Sequence, residues 1–369
     1  NRLCRNVQQL TNSFNFFQLR NIPGYSFGIQ NTILSGLQPS QHKLWMPYFF
    51  SDISNNLKHR ILSILPRVKY NPDPFLRMFK TFLLYAFFMG NKRVKLHSID
   101  FSMAKYISTH NFYYMFDSIF FKRLISLLSE NVYIKLLGPP KTRNPLNELE
   151  ALINNGIKRE TFCAINIDIL DLIAHKYGYD SLIFDKTIQY IDCKISKILS
   201  ILERKFGSQF HFILFSDHGG SDASHLINLR PILKELSYKY QIKYIIDATM
   251  VLIKLSDPSM SDHIKRVLSK DKTVLIFSRF EDIKTLEKNG IYFNDSMYGD
   301  IIIQANVKSS FFPNFYSDVR PLKGVHGYWP DEYVQYGWCI LNLTKNPFMS
   351  SSKEQFMPEM YKALTTLLQ

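Results

Sequence analysis

The sequence predicts an α/β fold, a mostly parallel sheet covered by helices on both faces and carrying a helical, aromatic-rich insertion. Three observations predict it. Strand-like and helix-like stretches alternate from about residue 160 onward, the pattern of a sheet with substantial parallel character. The chain has 369 residues, 46% hydrophobic and 21% charged, which supplies a sizeable core and argues against disorder. Between residues 45 and 150 rings at helical spacing replace the alternation.

Taken in order, residues 5–20 carry helical periodicity, and Ile22-Pro23-Gly24-Tyr25 breaks it into a loop. A further helix is expected to start near Asn31. Residues 44–140 are mostly helical in period, interrupted at Pro72 and Pro74. This assigns 1–44 and 151–369 to a core and 45–150 to an insertion or cap. Residues 162–167 read as a buried strand, 181–205 as a long helix and 210–215 as another strand. A helix over 229–240, strands over 244–255 and 273–277 and a helix over 280–289 follow. Ligands in such sheets bind beyond the carboxyl ends of the strands.

Bulk properties narrow the function. The apolar stretch 82–89 is too short to cross a bilayer, which needs roughly 20 apolar residues, and Asn1 opens no signal peptide. No membrane span and a cytoplasmic location are the expectations. The chain opens without Met inside a helical stretch, so the first core strand and any targeting segment are expected to lie upstream. Four cysteines, Cys4, Cys163, Cys193 and Cys339, are far apart, without the CxxC spacing of a zinc cluster or a disulfide framework. A net charge of +14 favours anionic ligands. The basic residues are scattered, which suits a solvated face better than a nucleic-acid groove. Oligomeric state leaves no signature.

Chemistry concentrates in three short segments. Ser216-Asp217-His218-Gly219-Gly220 follows the 210–215 strand, and carboxylate oxygen with imidazole nitrogen is a good ligand set for zinc. Asp171 and His175 follow the 162–167 strand four residues apart, on one face of a helical turn. Asp168 is the competing carboxylate, but its helical partner would be Leu172. Gly324-Val325-His326-Gly327-Tyr328 presents one histidine between glycines, which let backbone approach a ligand. Together these give three histidines and two aspartates beyond strand ends or glycine hinges. Two metal ions are the natural count.

The Ser-Asp-His-Gly, Asp-x-x-x-His-x-x-Gly and Gly-x-His-Gly-Tyr segments stand in the order seen in type I phosphodiesterase/nucleotide pyrophosphatase enzymes of the alkaline phosphatase superfamily. Upstream, Ile22-Pro23-Gly24-Tyr25-Ser26-Phe27, then Thr32-Ile33-Leu34-Ser35-Gly36-Leu37-Gln38-Pro39 and His42, resembles that family's nucleophile stretch, with Ser26 on the nucleophile position. The similarity runs from about Pro23 to Asn342, interrupted by the divergent 45–150 segment.

The resemblance implies an alkaline-phosphatase-like core. It further implies hydrolysis of phosphodiester or pyrophosphate bonds, or transfer to another acceptor, through a phosphoseryl intermediate on Ser26. Two divalent ions, zinc with manganese as the alternative, would be held by Asp171, His175 and His326 and by Asp217, His218 and Ser26. The expected partner is a small-molecule, sugar or nucleotide phosphodiester. Two departures stand out. The family's metal-binding Asp before the nucleophile has no counterpart in residues 1–25, which contain no Asp or Glu. The family's phosphoryl-binding Asn, three residues after the nucleophile, is Ile29 here, leaving Gln30 or Asn31 as substitutes; Asn31 is taken as the substrate-binding residue. These departures motivate a second reading, an inactive metal- or glycan-phosphate-binding relative of the same fold. Sulfatases need a C/S-x-P-x-R motif that is absent, and cofactor-independent phosphoglycerate mutases are longer. Binding of nucleic acid through positive charge is the third reading.

Overall fold

A computed structural model describes residues 14–51, 103, 106–110, 115–138, 144–157, 160–270, 272–315, 320–343, 347–348 and 352–368. Strand β1 (Asn15–Arg20) leads by a tight loop into α1 (Ser26–Ser35) and the short α2 (Pro39–His42). Next come β2 (Tyr48–Phe50) and β3 (Ile107–Thr109), paired antiparallel, then α3 (Ile119–Ile125), β4 (Tyr133–Leu137), α4 (Pro145–Asn154) and β5 (Thr161–Ile165). Helices α5 (Ile169–Tyr177) and α6 (Leu182–Phe206) precede β6 (Ile213–Ser216), β7 (Ser221–Asp222), β8 (His225–Ile227) and α7 (Arg230–Tyr240). The chain continues through β9 (Lys243–Ile246), β10 (Met250–Lys254), α8 (Ser261–Leu268), β11 (Val274–Ser278), α9 (Ile283–Lys288), β12 (Ile301–Ala305) and β13 (Ser309–Phe311). It closes with β14 (Gly324–Val325), β15 (Gly337–Leu341), β16 (Glu354–Phe356) and α10 (Met360–Leu368).

The architecture is α/β, but its described sheets are less parallel than the alternation suggests. One four-stranded sheet has the order β16-β1-β15-β6, in which only β1 and β16 run parallel. A second, β11-β12-β10-β9, is antiparallel throughout. Parallel pairing joins β4 to β5 and β8 to β13. Strands buried on both faces carry no periodicity that distinguishes the two pairings. The expected strand over 244–255 is in fact the hairpin β9–β10, closed where Asp247 N donates to Met250 O at 2.8 Å.

Residues 15–20 are a strand, not the end of a helix, because Phe17 and Leu19 point into the core while Gln18 between them faces out. The earlier part of the predicted helix lies outside the described residues. Helix α1 begins at Ser26, five residues before the expected start, where extended Tyr25 takes the N-cap position. Its buried Ile29 and Ile33 meet Leu19, Leu341 and Met360 in one apolar cluster. Each such side chain, fully buried, contributes roughly 1.5–3 kcal/mol. A second cluster lies between the antiparallel sheet and α7 and α8, with Trp45 and Tyr244 among its members.

The described ends of 45–150 carry strands as well as helices. Strand β4 pairs directly with β5, and α4 runs across residue 150. Residues 52–102, including the apolar stretch 82–89, lie outside the described residues. Cys163, Cys193 and Cys339 are free thiols. Among the described residues no helix is long and apolar enough to cross a membrane.

Candidate active site

Strands β1 and β6 flank β15 and are each antiparallel to it, so they point the same way and deliver their carboxyl ends at one edge. Ser26, the first residue of α1, follows β1; Asp217 and His218 follow β6. Helix α5 after β5 brings Asp171 and His175 one turn apart. Strand β14 pairs with β7, Gly324 opposite Asp222 and Val325 opposite Ser221, which sets His326 beside the loop after β6. Gly324 has no room for a larger residue, because an added Cβ would lie 2.7 Å from Ala174 O and 2.8 Å from the Tyr179 ring.

The side chains so delivered converge. Ser26 Oγ lies 2.7 Å from His218 Nε2, and His218 Nδ1 lies 2.8 Å from Gly219 O. A carbonyl only accepts, so Nδ1 carries the ring proton and Nε2 accepts from the Ser26 hydroxyl. His175 follows the same rule, Nδ1 donating to Gly324 O at 2.9 Å and Nε2 facing Asp171 Oδ1 at 3.3 Å. His326 Nε2 lies 3.2 Å from the same oxygen, and its ring stacks on His218 at 3.9 Å between centroids. Donor atoms of Asp171, His218 and His326 all lie within 4.8 Å of one another.

This donor set fits a cation. Asp171 Oδ1 is buried between two imidazole nitrogens without an aligned hydrogen bond, and buried His326 Nδ1 is also without a partner. Histidines that ligate through Nε2 are commonly fixed by Nδ1–H to a carbonyl, as His175 and His218 are. The cluster takes Asp171 and His326 from one expected ligand set and His218 from the other.

The profile of the type I phosphodiesterase/nucleotide pyrophosphatase family matches residues 20–329. The chain belongs to this family. Comparison with curated protein sequences gives no match. Among solved structures, murine ectonucleotide pyrophosphatase/phosphodiesterase 5, an inactive variant in complex with AMP, superposes with a TM-score of 0.62 at 15% identity, covering 99% of this chain and 89% of that one. The human ectonucleotide pyrophosphatase/phosphodiesterase 5 gives 0.58 at 15% identity, with coverages of 99% and 89%. Phosphonoacetate hydrolase from Sinorhizobium meliloti 1021, in complex with phosphonoformate, gives 0.59 at 11% identity, with coverages of 100% and 91%. These likenesses show a shared fold; membership makes the chain a phosphoric ester hydrolase of the phosphodiesterase/pyrophosphatase class.

Electrostatics in this cluster suit cation binding. Burial works against charge on Asp171, but His175 and His326 outweigh it and hold the carboxyl far below its usual range. Burial, with His218 alongside, pushes His326 down to about 4, leaving it neutral near pH 7 in the form that ligates. Burial would also lower His175, but the Asp171 carboxylate beside it raises it on balance.

Six of the seven predicted site residues meet here: Ser26, Asp171, His175, Asp217, His218 and His326. Asn31 does not. Its amide is buried, donating to Phe27 O at 2.8 Å and accepting from Ser118 Oγ at 2.7 Å. Five residues along a helix turns a side chain about 140° from Ser26, whereas four residues leaves Gln30 nearly in line with it. Gln30 Nε2 accordingly donates to Asp217 Oδ2 at 3.1 Å. Ile29 is fully buried in the core. Sequence reasoning missed Tyr25, Thr249, Asn21 and Gln335. Tyr25 sets its ring edge-on to His326 at 5.5 Å, and Thr249 Oγ1 donates to His326 O at 2.9 Å. No sequence spacing links Thr249 or Gln335 to the motifs; Tyr25 and Asn21 stand inside the nucleophile stretch or next to it.

Proposed function

We propose that the chain opens phosphodiester or pyrophosphate bonds of a small nucleotide or sugar substrate through a covalent phosphoseryl intermediate on Ser26. The observation that carries this reading is the Ser26 hydroxyl at a helix start, 2.7 Å from His218 Nε2 and beside buried carboxylate and imidazole donors lacking a partner. Asp171, His175 and His326 would hold one divalent ion, and Asp217, His218 and Ser26 a second, zinc being favoured and manganese the alternative. Such ions, when bound, supply charge neutralisation and a lowered hydroxyl pKa.

The chain's own residues do the rest. The amino end of α1 carries the positive end of the helix dipole and favours an incoming phosphoryl anion at Ser26. Gln30 holds the Asp217 carboxylate in one orientation. The Ser26 Oγ–P bond forms as the bond to the leaving oxygen breaks, the proton lost by Ser26 being balanced by the one the leaving oxygen gains; water, or another acceptor hydroxyl, then cleaves Oγ–P, its oxygen going to phosphorus and its proton to Ser26 Oγ.

Hydrolysis of bis(p-nitrophenyl) phosphate with and without added zinc or manganese, alongside Ser26→Ala and His326→Ala, tests the reading. Metal-dependent turnover lost in both variants is expected. A silent wild type with substoichiometric metal would replace it with the reading of an inactive binding relative, which Ile29 in place of the family's Asn favours.

A further inference from the structure

One buried amide bridges several loops of the site's framework. The Gln335 side chain, just before β15, is fully buried. Its Oε1 accepts from Gly327 N at 2.9 Å and Tyr328 N at 3.0 Å, the two residues after His326. Its Nε2 donates to Gly24 O at 3.2 Å, two residues before Ser26. Its backbone oxygen accepts from Asn21 Nδ2 at 3.1 Å, and that same amide donates to Asp217 O at 2.7 Å. Gly24 and Gly327 have φ of +123° and +88°, so both loops turn at glycines in the left-handed region, where backbone freedom is greatest.

We infer that Gln335 is a positioning residue that ties the Ser26 loop, the His326 loop and, through Asn21, the Asp217 loop into one unit. It touches no donor atom of the metal cluster and no reacting atom, so it acts through the loops it holds. The inference rests on the proposed function for its catalytic consequence, but its consequence for metal binding and loop order is independent of turnover. Without the amide, Gly327 N, Tyr328 N and Gly24 O lose their partner together, and His326 and Ser26 are free to shift relative to each other. Displacements near 1 Å at a reacting centre cost on the order of 100-fold in rate.

Two variants of the full chain test this. Gln335→Met fills the space and removes all three side-chain hydrogen bonds. Zinc affinity, measured by competition with a chromophoric chelator, is expected to fall about 10- to 100-fold. Amide exchange at Gly327 and Tyr328 is expected to quicken. Gln335→Glu keeps the acceptor for those two amides and loses the donor to Gly24; it should retain zinc affinity and amide protection while kcat falls about tenfold or more and KM changes little. This variant decides the matter if Gln335→Met does not fold. A folded Gln335→Met with wild-type zinc affinity and exchange, or Gln335→Glu with wild-type kcat, overturns the inference. A wild type that binds zinc without turnover would sink the catalytic reading alone, leaving the clamp to be judged on affinity and exchange.

Discussion

The Ser26 hydroxyl donates to His218 Nε2 across 2.7 Å, although the two residues are 192 positions apart in the chain. Each stands just beyond the carboxyl end of a strand, β1 for Ser26 and β6 for His218, and β15 between those strands fixes their common direction. Ser26→Ala is therefore expected to reduce kcat on a phosphodiester by on the order of 1,000-fold or more. Its zinc affinity should change less than that of His326→Ala, because a hydroxyl is a weaker zinc donor than an imidazole and the Asp171, His218 and His326 donor atoms, all within 4.8 Å of one another, stay in place. Steady-state kinetics with chelator competition separates the two effects.

Metal removal should appear in stability as well as activity. An ion that binds only the folded chain stabilises it by about 2.7 kcal/mol at a free concentration 100 times its Kd. A strong chelator should lower the thermal midpoint of the wild type and zinc should restore it. In His326→Ala most of that zinc-dependent shift should vanish, as differential scanning calorimetry would show.

Neighbouring Gln30 and Asn31 should separate cleanly. Gln30→Ala removes the donor to Asp217 Oδ2 and is expected to lower kcat about tenfold while leaving the urea midpoint nearly unchanged. Asn31→Ala strands the Ser118 hydroxyl in the interior and should cost about 1–3 kcal/mol of stability, with near-wild-type kcat in the folded fraction. The reverse pattern would show that the helix presents its other face to the substrate.

Acid sensitivity should come partly from outside the metal cluster. Burial pushes His110 down to about 4; burial, helped by neighbouring His110, does the same to His42, below the ordinary 6.5. Between pH 6.5 and 4 the unfolded chain takes up protons that the folded chain refuses. The stabilisation is thus complete above pH 6.5 and is lost as pH falls, by up to roughly 3 kcal/mol per histidine at about 1.36 kcal/mol per pH unit. Urea titrations at pH 7.5 and 4.5 should show the loss, and His42→Gln or His110→Gln should flatten it.

The site was far more legible in the sequence than the sheet that builds it. Asp171, His175, Asp217, His218 and His326 sit in short segments with glycines close by, and a ligand type beside a turn is visible without knowing what it faces. Helical geometry also decided between Gln30 and Asn31, but only once the start of α1 at Ser26 was fixed. For β1, apolar residues spaced at helical intervals over 5–20 masked the local alternation of Phe17 and Leu19. The direction of β6 relative to β15, and the hairpin hidden in 243–254, depend on pairing partners that a buried apolar run does not encode. Gln335 was invisible for a related reason: its three side-chain partners, at 24, 327 and 328, come from two loops far apart in the chain.

The most direct measurement is an acid quench of the zinc-loaded protein during turnover of a phosphodiester, followed by peptide mass spectrometry of the segment carrying Ser26. The expected result is a phosphoryl adduct on Ser26 that still carries the substrate's remaining ester group, present only with substrate and metal and absent from Ser26→Ala. Steady turnover with no phosphoryl adduct trapped on Ser26, together with inversion of configuration at a chiral phosphorothioate substrate, would instead mean direct attack by water and contradict the phosphoseryl route.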